Sequence, residues 1–398
     1  MLTYNGKTLR YGAVGSGVWP SLHVAPPAPL VPPNTIRFTF TDTSFDPSIV
    51  LTQTYGTWSN VSPGVWDWYK DARWVNYYDN PFSGKLTSSV IGEGNMVTAY
   101  ANAGPYNNME YLFYGCTSLT SATVVNEGEG SYGSERYHMR DMFHGCTSLE
   151  TVSFYGFDFT YAAHDAFEYL FYGCTSLTHG PNLSHTGGIT SVDSMYYGCS
   201  GMESVELFDT SGVTNFNNML CRCSSLTEAP LFNTSKATSI FGMLCYCSSV
   251  TELPRFDTSN VVDFQGAFAV TAITSSPVYD TSKALYVDSM YQECHSLEAL
   301  PSIDLSKVVS AGQFAYHCDS ITEVPLYDMP AVTNVWYMFG FCENVESGAL
   351  ALYESLSSHI TPTEEHGNHC FDRCGYGTAS GYAELEQIPT SWGGLLVT

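Results

Sequence analysis

One motif recurs along most of this chain at a nearly constant interval, and it constrains the fold more than any other feature. The motif reads apolar-aromatic-x-x-Cys-x-Ser-apolar, and successive copies lie 23 to 30 residues apart. A repeat of this length is typical of a solenoid, in which each coil buries its apolar side only against its neighbours. We therefore expect a surface that binds partners. The cysteine position is assigned to Cys116, Cys146, Cys174, Cys199, Cys223, Cys247, Val270, Cys294, Cys318 and Cys342.

Composition excludes several classes of partner. The chain has 398 residues, a net charge of −25 and only 14 lysines and arginines. Nucleic acids and anionic membranes are recognised by clustered cations, so neither is expected as a partner. No run of eighteen apolar residues is present, so no transmembrane helix is expected. The N-terminus shows no apolar segment typical of a secretory signal, and the C-terminus shows no anchor motif.

The order of sequence types predicts five regions. Asn5-Gly6 indicates a short hairpin in a leader, five prolines among nine residues indicate a stiff spacer, and three tryptophans lie in a stretch with β-strand alternation. The leader is interpreted as a docking segment, with a disordered terminus as the alternative. The tryptophan-rich stretch is interpreted as a cap of the first coil, with an aromatic binding platform as the alternative. The regions are a leader (1–24), a Pro-rich linker (25–33), a Trp-rich β domain (34–100), the solenoid (101–348) and a C-terminal cap (349–398).

Within one repeat, the pattern predicts a short strand followed by a short helix. Apolar columns recur in the strand, ending in an aromatic residue or Ile directly before an Asp or Asn such as Asp257. That acidic column is interpreted as a structural ladder that bonds the turn backbone. The stretch from Val213 to Cys223 is then interpreted as helical or 3₁₀, because its apolar residues recur at helix-like intervals up to the cysteine. The predicted fold is an α/β leucine-rich-repeat solenoid of about ten coils.

The cysteines are predicted to be buried thiols. There are 13 of them, an odd number, and a ladder with one cysteine per coil cannot pair along its whole length without skipping coils. A free cysteine behaves as a small buried apolar residue. The pairs Cys221/Cys223 and Cys245/Cys247 are taken to extend this thiol ladder and not to act in redox chemistry.

The repeat resembles a known family. The pattern Phe-Asp-Thr-Ser-x-Val-x-x-(Met/Phe)-x-x-Met-Phe-x-x-Cys-x-Ser-Leu-Thr is similar to the BspA-type surface-antigen leucine-rich repeats, over about three quarters of the chain. The ending, from Cys370 to Gly375 and from Ala383 to Gly393, resembles the C-terminal cap of such arrays. The resemblance implies adhesion to host or bacterial partners, or a role in tail or fibre proteins of gut phages. Without a secretion signal or anchor in view, the phage role is the expectation.

Few residue patterns in the sequence are typical of a catalytic or metal site. The segment from His366 to Cys374 contains zinc-like residues, but His366, Cys370 and Cys374 would span about 12 Å on a helix and could not reach one ion. No phosphate loop or nucleophile elbow is present in the sequence. A carboxylate pair of a glycosidase is the remaining enzymatic alternative. We expect no enzyme, no cofactor and no metal.

The outward residues of the predicted strand are the candidate binding face. About ten coils with a strand spacing of about 4.8 Å would form a ribbon close to 50 Å long, suited to an extended protein or glycan of the bacterial surface. The predicted function is a phage tail or virion receptor-binding protein, assembled in the host cytoplasm, acting outside the cell and attached to other virion proteins through residues 1–24, with a homo-oligomer possible. The alternatives are a BspA-type bacterial adhesin and a virion decoration protein without a ligand. The candidate residues are Ser204, Leu207, Glu228, Leu231, Glu252, Arg255, Ser302, Glu323 and Leu326.

Overall fold

The computed structural model describes most of the repeat region and parts of the N-terminal region. Its contacts separate the chain into two compact units, Met1–Leu30 and Val31–Thr398. In the first unit, β1 (Thr3–Tyr4) and β2 (Lys7–Thr8) pair antiparallel, in agreement with the predicted hairpin. The described residues are 3–4, 7–8, 35–40, 44, 46, 57–63, 65–69, 96–102, 109–126, 137–361 and 369–397.

The second unit begins with a mixed sheet that continues into the first coils. Its order is β4-β5-β3-β6-β7-β8. The pairs among β4, β5, β3 and β6 are antiparallel, whereas β6-β7 and β7-β8 are parallel, as expected for stacked coils. The predicted β character of the tryptophan-rich stretch is therefore present in its described strands. The strands are β3 (Thr35–Phe40), β4 (Thr57–Ser62), β5 (Val65–Tyr69), β6 (Met96–Asn102), β7 (Ser121–Val125) and β8 (Thr151–Tyr155).

Beyond β8 one continuous row of parallel bridges joins successive coils. In this region the predicted strand is reduced to isolated contacts such as His179–Ser204 and Glu323–Ser347. The regular row lies elsewhere in the coil, at the start of the segment that was predicted to be helical. It links Ser191, Asn215, Ser239, Asp263, Tyr286, Ser310 and Asn334, each to the next.

The predicted short helix of each coil is wrong, because residues 137–348 contain no α-helix. In its place lies a run of tight turns. In one coil, the amides of Met243, Cys245 and Cys247 donate to carbonyls three residues earlier, at 3.0–3.2 Å. Gly242 and Tyr246 have φ values of 59° and 58°, and this left-handed backbone at every fourth residue prevents a helix. The amides between them donate to the next coil at 2.8–3.0 Å, in the pairs Ile240–Asp263, Gly242–Gln265, Leu244–Ala267 and Tyr246–Ala269.

The same geometry corrects the assignment of the cysteine position in the seventh copy of the motif. The left-handed residue directly before the cysteine is Tyr246 in one coil and Glu293 in another, and Val270 is the equivalent left-handed residue between them. The position therefore belongs to Thr271, which is buried, whereas Val270 is only half-buried. The Thr271 hydroxyl donates to the carbonyl of Phe268 at 2.8 Å. A polar donor, and not a plain apolar side chain, replaces the thiol.

The core cysteines act as hydrogen-bond donors between coils. The thiol of Cys223 lies 3.2 Å from the carbonyl oxygen of Tyr196, and that of Cys247 lies 3.1 Å from the carbonyl oxygen of Leu220, in each case in the preceding coil. Burial raises the pKa of the Cys247 thiol to about 12, so the thiol keeps its proton. Cys146, Cys174, Cys199, Cys294, Cys318 and Cys342 make the same contact, at 2.9–3.2 Å.

A second ladder joins the coils through buried threonines and the column of Asp and Asn residues. The hydroxyl of Thr234 donates to the carbonyl of Asp257 in the next coil at 2.9 Å. The carboxylate of Asp257 accepts hydrogen bonds from the side chain and amide of Ser259, which lower its pKa below the usual value. The acidic column is thus a structural element of the turns. Thr186, Thr210, Thr258 and Thr281 repeat the contact at 2.6–3.0 Å.

One disulfide departs from the predicted all-thiol ladder. Cys221 and Cys245 are bonded to each other across adjacent coils, with their Cα atoms 4.6 Å apart. Both lie two residues before a core cysteine, in a small separate cluster with Ala269, outside the main core. Cysteines at the same repeat position of adjacent coils are close enough to form a disulfide. Core cysteines such as Cys223 and Cys247 instead donate hydrogen bonds to carbonyls, whereas Cys221 and Cys245 form the disulfide. The other eleven cysteines are free and buried.

The C-terminal region adds two helices to the last coils. The carboxylate of Glu384, in α2 (Ala379–Leu385), accepts hydrogen bonds from the amides of Gly348 and Leu350 at the start of α1 (Ala349–Ser357). Phe371 stacks on Phe339 of the preceding coil. Within the described residues no helix is long and apolar enough to cross a membrane.

The threonine ladder predicts a stability cost that depends on burial. We expect Thr234→Val to destabilise the chain by about 0.5–1.5 kcal/mol, because it removes the hydrogen bond that the buried Thr234 hydroxyl donates to the carbonyl of Asp257. Thr238→Val is the matched control, since the Thr238 hydroxyl bonds a carbonyl at the surface, where water can replace it. Thermal unfolding followed by circular dichroism compares the two variants. Equal midpoints would contradict a structural role of the ladder.

The disulfide predicts a defined pattern of thiol reactivity. We expect alkylation in denaturant without reductant to modify eleven cysteines and to leave Cys221 and Cys245 linked. Peptide mass spectrometry should find one cross-linked pair, and only reduction should separate it. A bridge that involves any core cysteine, or thirteen free thiols in protein recovered from an oxidising medium, would contradict this assignment.

Candidate binding surface

The inward columns of each coil fix which residues face out. Phe232 and Phe256 are buried at the position before the Asp or Asn column, and Leu253 is buried three residues earlier than Phe256. Side chains at alternate positions of an extended segment point to opposite sides. The residues beside these buried ones therefore face solvent, as the pattern predicted.

Four large aliphatic side chains lie exposed at one position of the repeat. Leu207, Leu231, Val278 and Leu326 are each the residue directly before a buried aromatic side chain, and their exposed fractions are 61%, 58%, 63% and 67%. Arg255 and Ser302 occupy the same position in intervening coils and are also exposed. We call these six residues the apolar stripe. Aliphatic side chains scattered singly over a surface need no explanation, whereas these four recur at one position of the repeat.

An acidic row runs beside the apolar stripe. Glu228, Glu252 and Glu323 are exposed at one repeat position, where Ser204 and Ala299 stand in other coils, and we call these five residues the acidic row. All nine predicted site residues thus lie on the surface and on one strand-like segment of the coil. Their part in binding stays a prediction.

A different face carries stacked aromatic rings. Tyr114, His144, Tyr172 and Tyr197 come from four successive coils, and their rings stack with centroids 4.5–4.6 Å apart. Each inner ring has both faces covered by its neighbours. These rings therefore stabilise coil stacking, and the two inner rings, His144 and Tyr172, offer no open face on which sugars could stack.

One cluster of metal-ligand residue types was missed by the sequence reasoning. The ligand atoms of His295, His317 and Asp319 all lie within 4.8 Å of one another. The residues come from two adjacent coils, so no local motif announces them. The detectable sign is that they stand directly before or after a core cysteine, at positions where the earlier coils up to Cys199 hold Gly, Ser or Thr. Of the segment that was considered for zinc, Cys370 and Cys374 are fully buried, and His366 lies outside the described residues.

A protein-family model matches the repeat region of this chain. A family described as "Mycoplasma protein of unknown function, DUF285" matches residues 101–205, 165–277 and 247–351, which together span more than half of the chain. The chain belongs to this family. DUF285 repeats agree with the repeat-protein part of the predicted resemblance, and the phage association stays a prediction.

Other comparisons add little. The chain is similar to a leucine-rich repeat protein from Eubacterium ventriosum ATCC 27560, solved by crystallography at 2.50 Å, with 13% sequence identity and a TM-score of 0.34 over 70% of this chain and 83% of that chain. A comparison with curated proteins finds no match. The fold assignment of this DUF285 protein as a repeat solenoid therefore rests on its own coil geometry and its family.

The exposure of the apolar stripe predicts that it is dispensable for folding. We expect Leu231→Ser and Leu326→Ser to change the unfolding midpoint very little, because both side chains are already mostly in water. The buried neighbours provide the contrast, since Phe232→Ala should cost about 3–5 kcal/mol. Thermal unfolding of the three variants tests this difference. A large loss of stability in either leucine variant would show that the stripe packs against part of this chain.

Proposed function

We propose that this protein is a non-enzymatic recognition module that binds an extended segment of a cell-surface protein along the apolar stripe and the acidic row. The observation that carries the proposal is the column of four aliphatic side chains that are 58–67% exposed. The fold gains nothing from leaving them in water, whereas a partner that covers them gains about 1.5–3 kcal/mol for each one fully buried.

The charge of the surface favours a basic partner. The net charge of the chain is −25, and the acidic row places glutamates beside the aliphatic column. A partner segment with apolar side chains and flanking lysines or arginines would match both features. Opposite charge would also speed association at low ionic strength. A glycan ligand fits less well, since the stripe holds no aromatic side chain on which a sugar could stack.

Two properties of the cysteines support a binding role outside the cell. The core thiols are buried and their pKa values are raised, to about 12 for Cys199 and Cys342, so they are poor nucleophiles. The Cys221–Cys245 disulfide fits a protein that acts in an oxidising environment.

The particle that carries the module is a separate proposal. We retain the phage tail or virion as the carrier, with assembly in the host cytoplasm and attachment through residues 1–24. The first alternative is a BspA-type bacterial adhesin, and the membership in DUF285, a family described from Mycoplasma, favours this alternative. Immunogold electron microscopy with antibodies against the solenoid, applied to virions and to cells of the source culture, separates the two. Label on virions supports the phage proposal, and label confined to cells overturns it.

The binding proposal predicts a loss of cell binding when the stripe becomes polar. We expect the double variant Leu231→Ser and Leu326→Ser to weaken binding of the purified chain to its target cells by at least about tenfold, because two anchors are lost. Binding to a panel of bacterial strains, before and after surface proteolysis, is measured by flow cytometry. Loss of binding after proteolysis identifies a protein receptor, whereas resistance to proteolysis with sensitivity to glycosidases would indicate a glycan and contradict the proposed partner.

A matched control uses apolar residues on another part of the coil. Phe241 and Tyr286 are 38% and 39% exposed and lie in or beside the bridge row. The double variant Phe241→Ser and Tyr286→Ser should bind cells as the unaltered chain does. Equal loss in both double variants would show that the stripe is not the contact surface, and no binding to any strain by the unaltered chain would favour a decoration protein without a ligand.

A further inference from the structure

We propose that His295, His317 and Asp319 form a binding site for a divalent transition metal of the zinc class. The carboxylate of Asp319 lies between the two imidazoles. One of its oxygens is 2.8 Å from Nδ1 of His295, and the other is 3.4 Å from Nε2 of His317. The three ligand atoms lie within 4.8 Å of one another, and the two rings are 4.9 Å apart in an edge-to-face arrangement.

These distances are close to those that a metal requires. Bonds of about 2.0–2.2 Å to nitrogen and oxygen place the ligand atoms of a tetrahedral site roughly 3.4 Å apart. The widest separation here, at most 4.8 Å, has to shorten by roughly 1.4 Å. The three side chains are 44–50% exposed, so small side-chain rotations are free to bring the atoms together around an ion.

The backbone beneath the three side chains is held by the ladders of the solenoid. His295 and Asp319 occupy the same position in adjacent coils, directly after a core cysteine. The hydroxyl of Ser320 donates to the carbonyl of His295 at 2.6 Å, and the amide side chain of Asn344 donates to the carbonyl of Asp319 at 2.7 Å. The amide of His317 donates to the carbonyl of Gly340 at 2.8 Å. Fixed backbone positions reduce the ordering that metal binding would otherwise demand.

The repeat itself acts as an internal control and shows that the fold does not need these side chains. His317 stands directly before its core cysteine with a φ of 57°, a left-handed conformation that favours glycine. Glycine holds this position in four earlier coils, at Gly115, Gly145, Gly173 and Gly198. The position after the cysteine, which holds His295 and Asp319, is a hydroxyl residue in six earlier copies, Thr117, Thr147, Thr175, Ser200, Ser224 and Ser248.

The ligand types select the class of metal. Imidazole nitrogen suits zinc, copper, nickel and iron, whereas calcium and magnesium prefer all-oxygen sites. Two imidazoles and one carboxylate leave a coordination position open to water or to a group of a bound partner. The alternative is a surface ion pair between Asp319 and one protonated histidine, which would contribute little to stability. The two interpretations differ in whether the chain binds metal at this place.

The test measures zinc binding to the full chain. After treatment with a chelator and its removal, titration with zinc sulfate by isothermal calorimetry at neutral pH should detect a site that the double variant His295→Ala and His317→Ala loses, with affinity reduced at least tenfold. Asp319→Asn should weaken binding as well, while calcium should neither bind there nor compete. Binding should also weaken on acidification, because imidazole coordinates a metal only when it is neutral. X-ray absorption of the zinc-loaded chain should report nitrogen and oxygen neighbours without sulfur.

A matched control is His179→Ala, which removes an exposed histidine that bonds Thr178 in another coil. This variant should bind zinc as the unaltered chain does, and circular dichroism should show that all variants keep the fold. Three outcomes overturn the proposal: no zinc binding by the unaltered chain at millimolar zinc, unchanged binding in the double histidine variant, or equal loss in His179→Ala. Sulfur neighbours in the absorption spectrum would place the metal on cysteines and overturn it too.

Discussion

The fold depends on hydrogen bonds between the backbones of successive coils. In the turn segment from Ile240 to Cys247, alternate amides donate to the next coil, and the amides of Met243, Cys245 and Cys247 between them donate three residues back. This arrangement requires a left-handed residue at every fourth position, as at Gly242 and Tyr246. Such residues carry an intrinsic conformational cost, which the paired ladder offsets. The stack is therefore specified by backbone geometry as much as by its apolar core.

The side chains of the core complete the same ladder and explain why the motif contains cysteine. A thiol fits an apolar site, yet it can donate to a carbonyl of the preceding coil, as Cys223 does to Tyr196. Thr271 shows that a hydroxyl can fill the position, because it too has a donor for a nearby carbonyl. The threonine column acts similarly at the other end of the coil, where Thr234 bonds Asp257. The threonine ladder ends after Thr281, and Leu305 and Met329 are buried at the threonine position in later coils.

The sequence alone sufficed for the solenoid, the inward columns and the outward face, since period and burial follow directly from the recurring apolar residues. The helix was wrong for a physical reason. Ile240, Met243, Leu244 and Cys247 are spaced as on a helix, and a run of four-residue turns buries the same spacing. The cysteine position of the seventh copy was placed one residue too early, at Val270 instead of Thr271. The reason is that Thr271 and Cys294 are 23 residues apart, whereas Cys247 and Thr271 are 24 apart. The Cys221–Cys245 disulfide and the histidine cluster could not be read from one repeat, since both join neighbouring coils.

A repeat protein offers its own test of which residues serve function. A position that every coil needs is filled by side chains that do the same task, as the core cysteines and Thr271 do, and a position free of that demand can vary. By this criterion the apolar stripe and the cluster of His295, His317 and Asp319 differ in kind. Four of the six stripe residues are aliphatic, which suits an extended partner that contacts several coils weakly. The cluster brings two imidazoles and a carboxylate together at the junction of two adjacent coils, which suits a small ligand such as a metal ion, bound through a few strong contacts.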